Sequence, residues 1–369
     1  MNSMRKPTRA MLVALLFVQT ASAHRAALFR RAHARTRTPK LSTVGVYTSE
    51  LCIGHNPGGP MSLHPEKPER LEGLLKGIRG EWQTSFGDAM KVYEPDIDVT
   101  EEQLRRVHTQ QHIDVVADAF ARAQKNPLGL PVNIDSDTLA SKGSQAAATR
   151  AAGLVIAAVD RIFGNATVAN DAADAMSRAF VAVRPPGHHA EHNRPMGFCL
   201  YNNVMVGVAH AQKVHGVGKI AILDFDVHHG NGDADITASD PTLLYASSHQ
   251  SPCYPGTGTT PGREGPHNNV ISCPLPPGAA SEQFRGAWLN FVLPLVAEFE
   301  PEAIFISAGF DAHGEDPLAS LALTDDDFSW ITEEIVKMGK PIVSVLEGGY
   351  NVEALERAAK AHVGALIRA

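Results

Sequence analysis

The stretch "KIAILDFDVHHGNG", residues 219–232, joins an apolar run to two carboxylates and two imidazoles. The apolar part predicts a buried strand, and charged groups are costly in a protein interior unless they are paired or bind a metal ion. Alternate residues of a strand share a face, so Asp224, Asp226 and His228 are expected to project together. Asp226 and His228 are the first two candidate metal ligands, and Asp311, which ends "EAIFISAGFD", is the third. Three protein ligands leave a position open for substrate, as in catalytic metal sites.

Other apolar runs alternate with helical patterns from residue 41 to residue 369, without a repeat or a linker. Several runs lack alternation, which is typical of strands that helices cover on both faces of a parallel sheet. The pattern predicts a single-domain, doubly wound α/β fold with a mainly parallel sheet. The expected strands are 44–49, 179–185, 219–228, 242–249, 268–275, 302–311 and 341–349. The expected helices are 145–164, 203–216, 281–300 and 325–339, the last with Thr324 as its N-cap.

Polar motifs end five of these strands, and ligands bind at the carboxyl ends of the strands in such folds. "RPPGHH" supplies His188 and His189, candidates for acid–base catalysis near neutral pH. Asp224 and Asn231 are candidate hydrogen-bond partners for the two rings. "LEGGY" places Tyr350 at the same edge, where a phenol can stabilise a developing oxyanion. The "DFDVH" spacing alone also fits an Asp–His pair satisfied by the backbone, but the five polar strand ends together favour a catalytic metal.

Charge divides the chain into a basic leader and an acidic body. Residues 1–49 contain nine Lys/Arg and no Asp or Glu, while the remainder carries 24 basic against 40 acidic residues. No basic stripe indicates direct binding of nucleic acid. Residues 1–23 have the order of a secretory signal, and residues 24–40, rich in Arg and Ala, resemble a transit peptide. No stretch reaches the length of a membrane-spanning helix.

We therefore expect residues 1–40 to be a targeting leader that precedes a catalytic domain of residues 41–369. A signal followed by a transit-like segment resembles the two-part leader of proteins that enter plastids with extra bounding membranes, so an organelle, and a plastid first, is favoured over cytoplasm or nucleus. A mitochondrial or secreted protein is the alternative destination. A disordered basic tail without a targeting role is the alternative interpretation of the leader.

Seven motifs, in chain order, resemble those of the zinc-dependent histone deacetylase family and its bacterial amidohydrolase relatives, closest to the class II branch. They are "HPEKPERL", "RPPGHHAE", "MGFCLYNN", "DFDVHHGNG", "YPGTG", "SAGFDAHGEDPL" and "LEGGY". The resemblance covers residues 44–369 and implies an arginase-like α/β fold. It also implies hydrolysis of an acyl-lysine amide in a protein or peptide substrate, with zinc polarising the carbonyl and activating water. The oligomeric state stays open.

The resemblance assigns roles to residues of this chain through their places in the motifs. Its implied zinc ligands are Asp226, His228 and Asp311. Its implied catalytic residues are His188, His189, Tyr350, Asp224 and Asn231. A structural K+ ion is implied at Asp224 and Ser247. Its implied substrate-binding residues are Gly197, Phe198, Tyr254, Leu318 and Asp137, with Asp135 competing with Asp137 for the part of the acid that holds the substrate backbone.

Departures from the family pattern refine the expected substrate. Tyr254 stands where the family usually has Phe, which could alter the acyl preference. Leu318 stands seven residues after Asp311, where polyamine-specific relatives have an acidic residue, so an acyl-lysine side chain is favoured over a cationic polyamine. An acetylpolyamine or small-amide amidohydrolase stays the alternative enzyme. A non-catalytic acyl-lysine binding module is the alternative from another class, and the intact His pair and Tyr350 argue against it.

Overall fold

A mainly parallel sheet forms the centre of the protein in a computed structural model that describes residues 42–59, 64–164 and 176–368. The strands are β1 (Val44–Thr48), β2 (Met90–Tyr93), β3 (Val132–Asn133), β4 (Leu139–Ala140), β5 (Arg178–Ala182), β6 (Ile220–Asp224), β7 (Leu243–Gln250), β8 (Gly262–Glu264), β9 (Val270–Leu275), β10 (Ala303–Ala308) and β11 (Ile342–Leu346). The nine-stranded sheet has the order β2-β1-β5-β11-β10-β6-β7-β9-β8. Within the described residues, its β8–β9 pair is antiparallel and its other pairs are parallel.

Helices cover the sheet. They are α1 (Glu69–Gly77), α2 (Gln83–Phe86), α3 (Glu101–Leu104), α4 (Gln110–Lys125), α5 (Ser144–Phe163), α6 (Asn203–His215), α7 (Asn231–Ala238), α8 (Ser281–Ala287), α9 (Leu293–Phe299), α10 (Asp325–Val336) and α11 (Val352–Arg368). Strands β6 and β10 are buried along their whole length, as expected for strands without a solvent face. The apolar, non-alternating runs of the sequence therefore became central strands.

The strand register places helices on both faces of the sheet. Phe305 of β10 faces α6, because a methyl group built on Gly207 would lie 3.1 Å from its ring. The next residue of β10, Ile306, pairs with Ser344 of β11, whose hydroxyl lies 2.8 Å from Nε2 of His362 in α11. Because successive residues of a strand point to opposite faces, α6 and α11 lie on opposite sides. The doubly wound arrangement predicted from the sequence is confirmed.

Four of the expected strands end three or four residues earlier than predicted. The expected strand 219–228 stops at Asp224, and the expected strands 179–185, 302–311 and 341–349 stop at residues 182, 308 and 346. Beyond Asp224, side chains replace the ladder: Asp226 N donates to Asp224 Oδ1 at 2.9 Å, and His228 N donates to Asp226 Oδ1 at 2.9 Å. The prediction of a strand through His228 is thus wrong. Aspartate side chains that accept bonds from the backbone two residues on compete with sheet pairing.

The predicted helices are found with one interruption. The helix expected over 203–216 ends at His215 with Gly216 in the left-handed conformation, and Thr324 is the N-cap of α10. The helix expected over 281–300 is divided into α8 and α9 by a π-helical turn, Trp288–Val292. Pro294 follows that turn, and a proline lacks the N–H that a continuous helix needs. The sequence analysis predicted no strand for β2, β3, β4 or β8 and no helix for α1, α2, α3, α4, α7 or α11.

The leader, residues 1–40, lies outside the described residues, and so do its predicted signal-like and transit-like parts. Among the residues that the structure describes, no helix is both long and apolar enough to cross a membrane.

Candidate active site

The sheet order brings together the five strand ends that carry polar motifs. Strands β5, β11, β10, β6 and β7 are consecutive neighbours in the sheet, and each pair is parallel. Their carboxyl ends therefore meet at one edge. The segments after β5, β6, β10 and β11 hold the tandem histidines, the candidate metal ligands and Tyr350, which the chain separates by up to 162 positions between His188 and Tyr350.

Asp226, His228 and Asp311 form a cluster that could hold a metal ion. One ligand atom from each lies within 4.8 Å of the other two, and all three residues are buried. His228 Nδ1 is 3.1 Å from Asp226 Oδ1 and 3.1 Å from Asp311 Oδ2. A neutral imidazole offers one N–H, so it cannot donate fully to both carboxylates. A divalent cation between the three groups would satisfy them together.

Two glycines form a cradle that holds the carboxylates of this cluster. A Cβ atom on Gly309 would lie 1.9 Å from Asp226 Oδ2, and one on Gly348 would lie 2.0 Å from Asp311 Oδ2. Real Cβ atoms essentially never come closer than 3.0 Å to such neighbours. Glycine at both positions therefore lets two strand ends approach the acids closely, as in sites where the backbone must come near a ligand.

The side chains of Asp226, His228 and Asp311 are suitable zinc ligands, and the charges of the cluster favour a bound cation. Burial raises the pKa of Asp311 to about 7, and the nearby Asp226 carboxylate adds to the shift. Burial also disfavours the charged form of Asp226, but His188 and His228 hold its pKa below the ordinary value. One imidazole nitrogen and two carboxylate oxygens are typical zinc ligands, and a bound cation would offset the repulsion between the two acids.

The tandem histidines have different second partners. His188 Nδ1 donates to Asp224 Oδ2 at 3.1 Å, and the same oxygen accepts the Tyr245 hydroxyl at 2.8 Å. His189 Nδ1 donates to the amide oxygen of Asn231 at 2.7 Å. The two ring centroids are 4.0 Å apart. The sequence analysis named Asp224 and Asn231 as the partners of the two rings, and in both rings the bond to Nδ1 leaves Nε2 for another partner.

These partners move the two imidazole pKa values in opposite directions. Burial alone would lower the pKa of His188, but the Asp226 and Asp224 carboxylates raise it well above the ordinary value. Burial lowers the pKa of His189 well below the ordinary value, and the neighbouring His188 and His228 add to the effect. A bound divalent cation would lower both pKa values, but only His188 would keep a carboxylate partner, Asp224, whereas Asn231 beside His189 carries no charge. The pair therefore offers one neutral base beside one ring that tends to be cationic.

A buried glutamate that the sequence analysis quoted in "LEGGY" but gave no role fixes the turn before the histidines. Glu347 Oε2 accepts the backbone N–H of Gly187 at 2.6 Å and that of His188 at 3.0 Å. Burial raises the pKa of Glu347 to about 8. Its second oxygen has no hydrogen-bond partner among the described residues. Because Glu347 accepts hydrogen bonds from two adjacent backbone N–H groups, it positions the turn that carries His188 and His189.

Tyr350 lies on a second turn that the N-terminal motif supports. The Arg70 guanidinium lies 4.7 Å from the centre of the Tyr350 ring, and Arg70 also donates to the backbone carbonyls of Gly349 and Glu347. Asp316 Oδ2 accepts the Tyr350 N–H at 2.6 Å. Burial raises the pKa of Tyr350 well above its ordinary value, which keeps the phenol a hydrogen-bond donor. Through Arg70, the motif "HPEKPERL" thus supports the turn that carries Tyr350, a role that the sequence analysis did not predict.

Aromatic side chains flank the histidines on the solvent side. Phe198 lies edge-on to Tyr350, with ring centroids 5.9 Å apart, and Tyr254 lies edge-on to His189 at 5.1 Å. Gly197 and Phe198 both have positive φ, 58° and 68°. A left-handed Phe is strained, and such strain is found at functional sites. Leu318, at 37% exposure, lies at the surface.

The structure separates the two candidate acids for the substrate backbone. Asp135 Oδ1 accepts the N–H groups of Asp137 and Thr138, at 3.0 and 2.9 Å, and so closes its own turn. Asp137 Oδ1 accepts the N–H of Gly197 at 3.2 Å, which joins it to the aromatic segment. Burial raises the pKa of Tyr254, and the nearby Asp137 carboxylate adds to the shift. Asp137 is therefore the acid beside the predicted channel.

Ser247, the residue expected at a K+ ion, is buried in β7 directly opposite Asp224 of β6. Its hydroxyl oxygen lies 2.7 Å from His249 Nδ1. The pairing of Ser247 with Asp224 brings together the two residues that the sequence analysis named for this ion.

The fold and the candidate site fit a hydrolase in which a metal ion would lie beside paired histidines and a phenol. Residues 64–366 match the family described as "Histone deacetylase domain", and the chain belongs to this family. The family is generally metal-dependent and its activity is deacetylation, which implies acylated-lysine substrates. The class of the predicted function is thereby confirmed.

Relatives at about one-third identity cover most of the chain. "Histone deacetylase 14, chloroplastic" of Arabidopsis thaliana is 32% identical over 84% of this chain and 73% of its own length. "Uncharacterized protein slr0245" of Synechocystis sp. is 34% identical over 85% of this chain and 95% of its own length. The crystal structure of the HDA15 HD domain superimposes with a TM-score of 0.78, at 31% identity over 88% of each chain. The arginase-like α/β fold expected from the sequence is confirmed.

Proposed function

We propose that this chain is a zinc-dependent amidohydrolase that removes acetyl or related acyl groups from lysine side chains of proteins or peptides. The observation that carries the proposal is the cluster of Asp226, His228 and Asp311 beside two imidazoles with unlike partners. A buried metal site by itself can be either structural or catalytic, but a neutral base beside the metal indicates proton transfer and therefore catalysis. The family of the chain supports the deacetylase reaction, while zinc and the lysine substrate belong to the proposal.

The metal ligands in this proposal are Asp226, His228 and Asp311. A Zn2+ ion held there supplies Lewis-acid polarisation of the acyl carbonyl and increased acidity of the attacking water. His189 accepts the proton of that water at Nε2, because Asn231 holds its other nitrogen and its lowered pKa keeps it neutral. The same Nε2 then returns a proton to the leaving amine.

His188 and Tyr350 stabilise charge in the proposed mechanism. The Asp224 carboxylate favours a cationic His188, which faces the negative charge that develops on the acyl oxygen. Tyr350 donates its phenolic hydrogen to the same oxygen, and Arg70 and Asp316 hold its turn in place. Losing one donor of this kind costs about 2.7 to 4 kcal/mol of transition-state stabilisation.

The substrate enters, in this proposal, along Phe198 and Tyr254, which sandwich the methylene stem of the acyl-lysine. Gly197 shapes the wall that carries Phe198, and Asp137 accepts the backbone N–H groups of the substrate. Leu318, uncharged and half exposed at the rim, offers no anchor for a polyamine cation. Ser247 and Asp224 help to bind a structural K+ ion, so replacing K+ by choline in the buffer is expected to lower thermal stability.

The test measures zinc content and hydrolysis of a fluorogenic acetyl-lysine peptide by wild type and by Tyr350→Phe. We expect the variant to fold and to bind zinc, with kcat about 10² to 10³ lower, because the oxyanion loses one donor. Tyr93→Phe on the edge strand β2 is the matched control and should retain full activity. Unchanged turnover of Tyr350→Phe would contradict the assigned role. Faster hydrolysis of acetylputrescine than of the peptide would support the polyamine alternative, and absent hydrolysis the binding module.

We also propose that residues 1–40 deliver the catalytic domain to a plastid. The acid-free leader supports this, and so does the word chloroplastic in the name of the Arabidopsis relative. Histones of the nucleus would then be out of reach, and organellar proteins would be the substrates. The test compares the location of a fluorescent fusion of the full chain with one that lacks residues 1–40. Plastid signal that depends on the leader is expected, and mitochondrial, secretory or nuclear signal from the full chain would refute the proposal.

A further inference from the structure

A second cluster of metal-binding groups lies outside the active site, where helices α5 and α6 pack against each other. Asp160 is in the last turn of α5, and His210 and His215 belong to the second half of α6. One ligand atom from each lies within 4.8 Å of the other two, as in the active-site cluster. None of the three residues has a part in the mechanism described above.

The three donor atoms converge on one point. Asp160 Oδ1 lies 2.7 Å from Nε2 of His210 and 2.7 Å from Nε2 of His215. The two imidazole centroids are 5.6 Å apart. The His side chains are 8% and 13% exposed, whereas the Asp160 side chain is 49% exposed. Solvent therefore reaches the point from the carboxylate side, which leaves room for water as a further ligand.

We propose that Asp160, His210 and His215 bind a divalent first-row transition metal ion, for which Zn2+ is the probe. Two imidazoles and one carboxylate suit zinc, copper or nickel, whereas magnesium and calcium prefer oxygen ligands alone. Zinc lies about 2.0 to 2.2 Å from such donors, which places tetrahedral donors about 3.4 Å apart. A shift of the Asp160 carboxylate by less than about 1 Å would turn both hydrogen bonds into metal coordination. Its half-exposed side chain is free to make that shift.

The surroundings of the cluster favour a cation. Helices α5 and α6 both end here, at Phe163 and His215, and the carboxyl end of a helix carries partial negative charge. The Phe163 ring packs 6.3 Å from the His215 ring and shields it from solvent. An ion bound at this place would join the ends of two long helices that cover one face of the sheet. Its role is to stabilise the fold rather than to take part in hydrolysis.

His210 limits the expected affinity. Its Nδ1 is buried and has no hydrogen-bond partner among the described residues. Zinc-binding histidines of high-affinity sites donate this second N–H to an acceptor, and loss of such a partner typically costs 10- to 100-fold in affinity. We therefore expect the ion to exchange readily and to be removed by chelators at lower concentration than zinc in sites with that second bond.

The experiment determines zinc per chain by elemental analysis of the full-length protein after equilibrium with buffered Zn2+. We expect wild type to bind one zinc more than His215→Gln and one more than Asp160→Asn. His267→Gln, a change of the same kind at an exposed position, is the control and should match wild type. Because the readout is a difference, it does not depend on whether the proposed catalytic site is also loaded.

Peptide deacetylation by His215→Gln should stay within about threefold of wild type, which separates this site from the catalytic one. Zinc is expected to raise the melting temperature of wild type more than that of the variants. Equal zinc content in wild type and both variants would overturn the proposal and leave a plain Asp–His hydrogen-bond network. If one variant fails to fold, the zinc difference between wild type and the other variant decides: one zinc less in that variant supports the site, and no difference overturns it.

Discussion

Replacing Gly309 by alanine tests the glycine cradle of the proposed metal site without replacing any of the proposed ligands. Gly309 follows strand β10, and a Cβ atom there would lie 1.9 Å from Asp226 Oδ2, 2.4 Å from its Cγ and 2.5 Å from its Cβ. All three of the nearest atoms belong to Asp226, so the substitution acts on one proposed ligand. We expect Gly309→Ala to fold and to lose metal affinity and activity.

The expected magnitude comes from the displacement that the methyl group forces. Real Cβ atoms essentially never approach closer than 3.0 Å, so Cβ and Asp226 Oδ2 have to separate by at least about 1.1 Å. Metal sites tolerate ligand distances within about 0.2 Å of the ideal value. A misplacement of about 1 Å costs about 10²-fold in rate, or roughly 2.7 kcal/mol. Overpacking should lower the free energy of unfolding by a further 1 to 3 kcal/mol or so.

The assay combines kcat/KM on an acetyl-lysine peptide, zinc per chain and urea unfolding. Gly286→Ala, in helix α8, is the matched control. A Cβ atom built on Gly286 would lie 3.9 Å from the Asn290 side chain, which is ordinary van der Waals contact. Alanine there should leave activity unchanged and stabilise the helix by up to about 1 kcal/mol. Retention of zinc by Gly309→Ala, with kcat/KM within threefold of wild type, would refute the assignment of Asp226 as a ligand.

Three further predictions concern groups behind the site and in the core. Asn231→Asp places a carboxylate on His189, so its pKa rises and the acidic limb of the kcat/KM profile should move to higher pH; an unmoved limb would contradict His189 as the base. Glu347→Ala leaves two buried N–H groups unpaired and should lower the unfolding free energy by about 2 to 5 kcal/mol, whereas Glu347→Gln, which keeps an acceptor, should cost clearly less in the same urea titration. Burial lowers the pKa of His362 to about 3, so the unfolded chain binds this proton first as pH falls from 6.5. Stability should therefore fall by up to about 3 kcal/mol by pH 4, and His362→Asn should weaken that dependence in unfolding measured at several pH values.

The sequence predicted the fold, and it predicted that the candidate site residues would meet at one edge of the sheet, because both depend on local patterns. Apolar runs without alternation identify central parallel strands, and polar residues after such runs identify the edge where ligands bind. The bonds from His188 to Asp224 and from His189 to Asn231 were expected from the same reasoning. Each of these patterns involves only a few residues that are neighbours in the sequence, so it can be recognised without knowledge of the three-dimensional structure.

Other features could not be predicted because they depend on contacts between distant segments. Arg70 reaches the carbonyl of Gly349 across 279 positions, and Glu347 reaches the Gly187 amide across 160. Nothing near Arg70 in the sequence points to Tyr350. The strand ends were also misplaced, since the apolar pattern of "ILDFDV" continues past the point where Asp224 stops the ladder. Hydrophobicity measures burial, and residues 225–228 are buried in a loop.

The short strands explain how so many buried acids are tolerated. Three of the strand ends leave backbone N–H groups without ladder partners, and a carboxylate that follows another strand accepts them. Asp226 Oδ2 accepts the Gly348 N–H at 2.8 Å, Asp311 Oδ1 accepts that of Val227 at 2.8 Å, and Glu347 holds the His188 turn. Unpaired N–H groups and unpaired carboxylates are both costly when buried, so each offsets the cost of the other.

This arrangement gives the two acids proposed as metal ligands a second task, which is to accept backbone N–H groups. Asp311 uses Oδ1 for the backbone and leaves Oδ2 facing His228, whereas Asp226 uses both oxygens for the backbone. An Asp226→Ala variant would thus lose a proposed metal ligand and also leave two buried N–H groups unpaired, which alone destabilises the fold. Its inactivity would not separate catalysis from folding. The cradle glycines make that separation, because a methyl group on Gly309 moves the carboxylate while every polar group keeps its chemical identity.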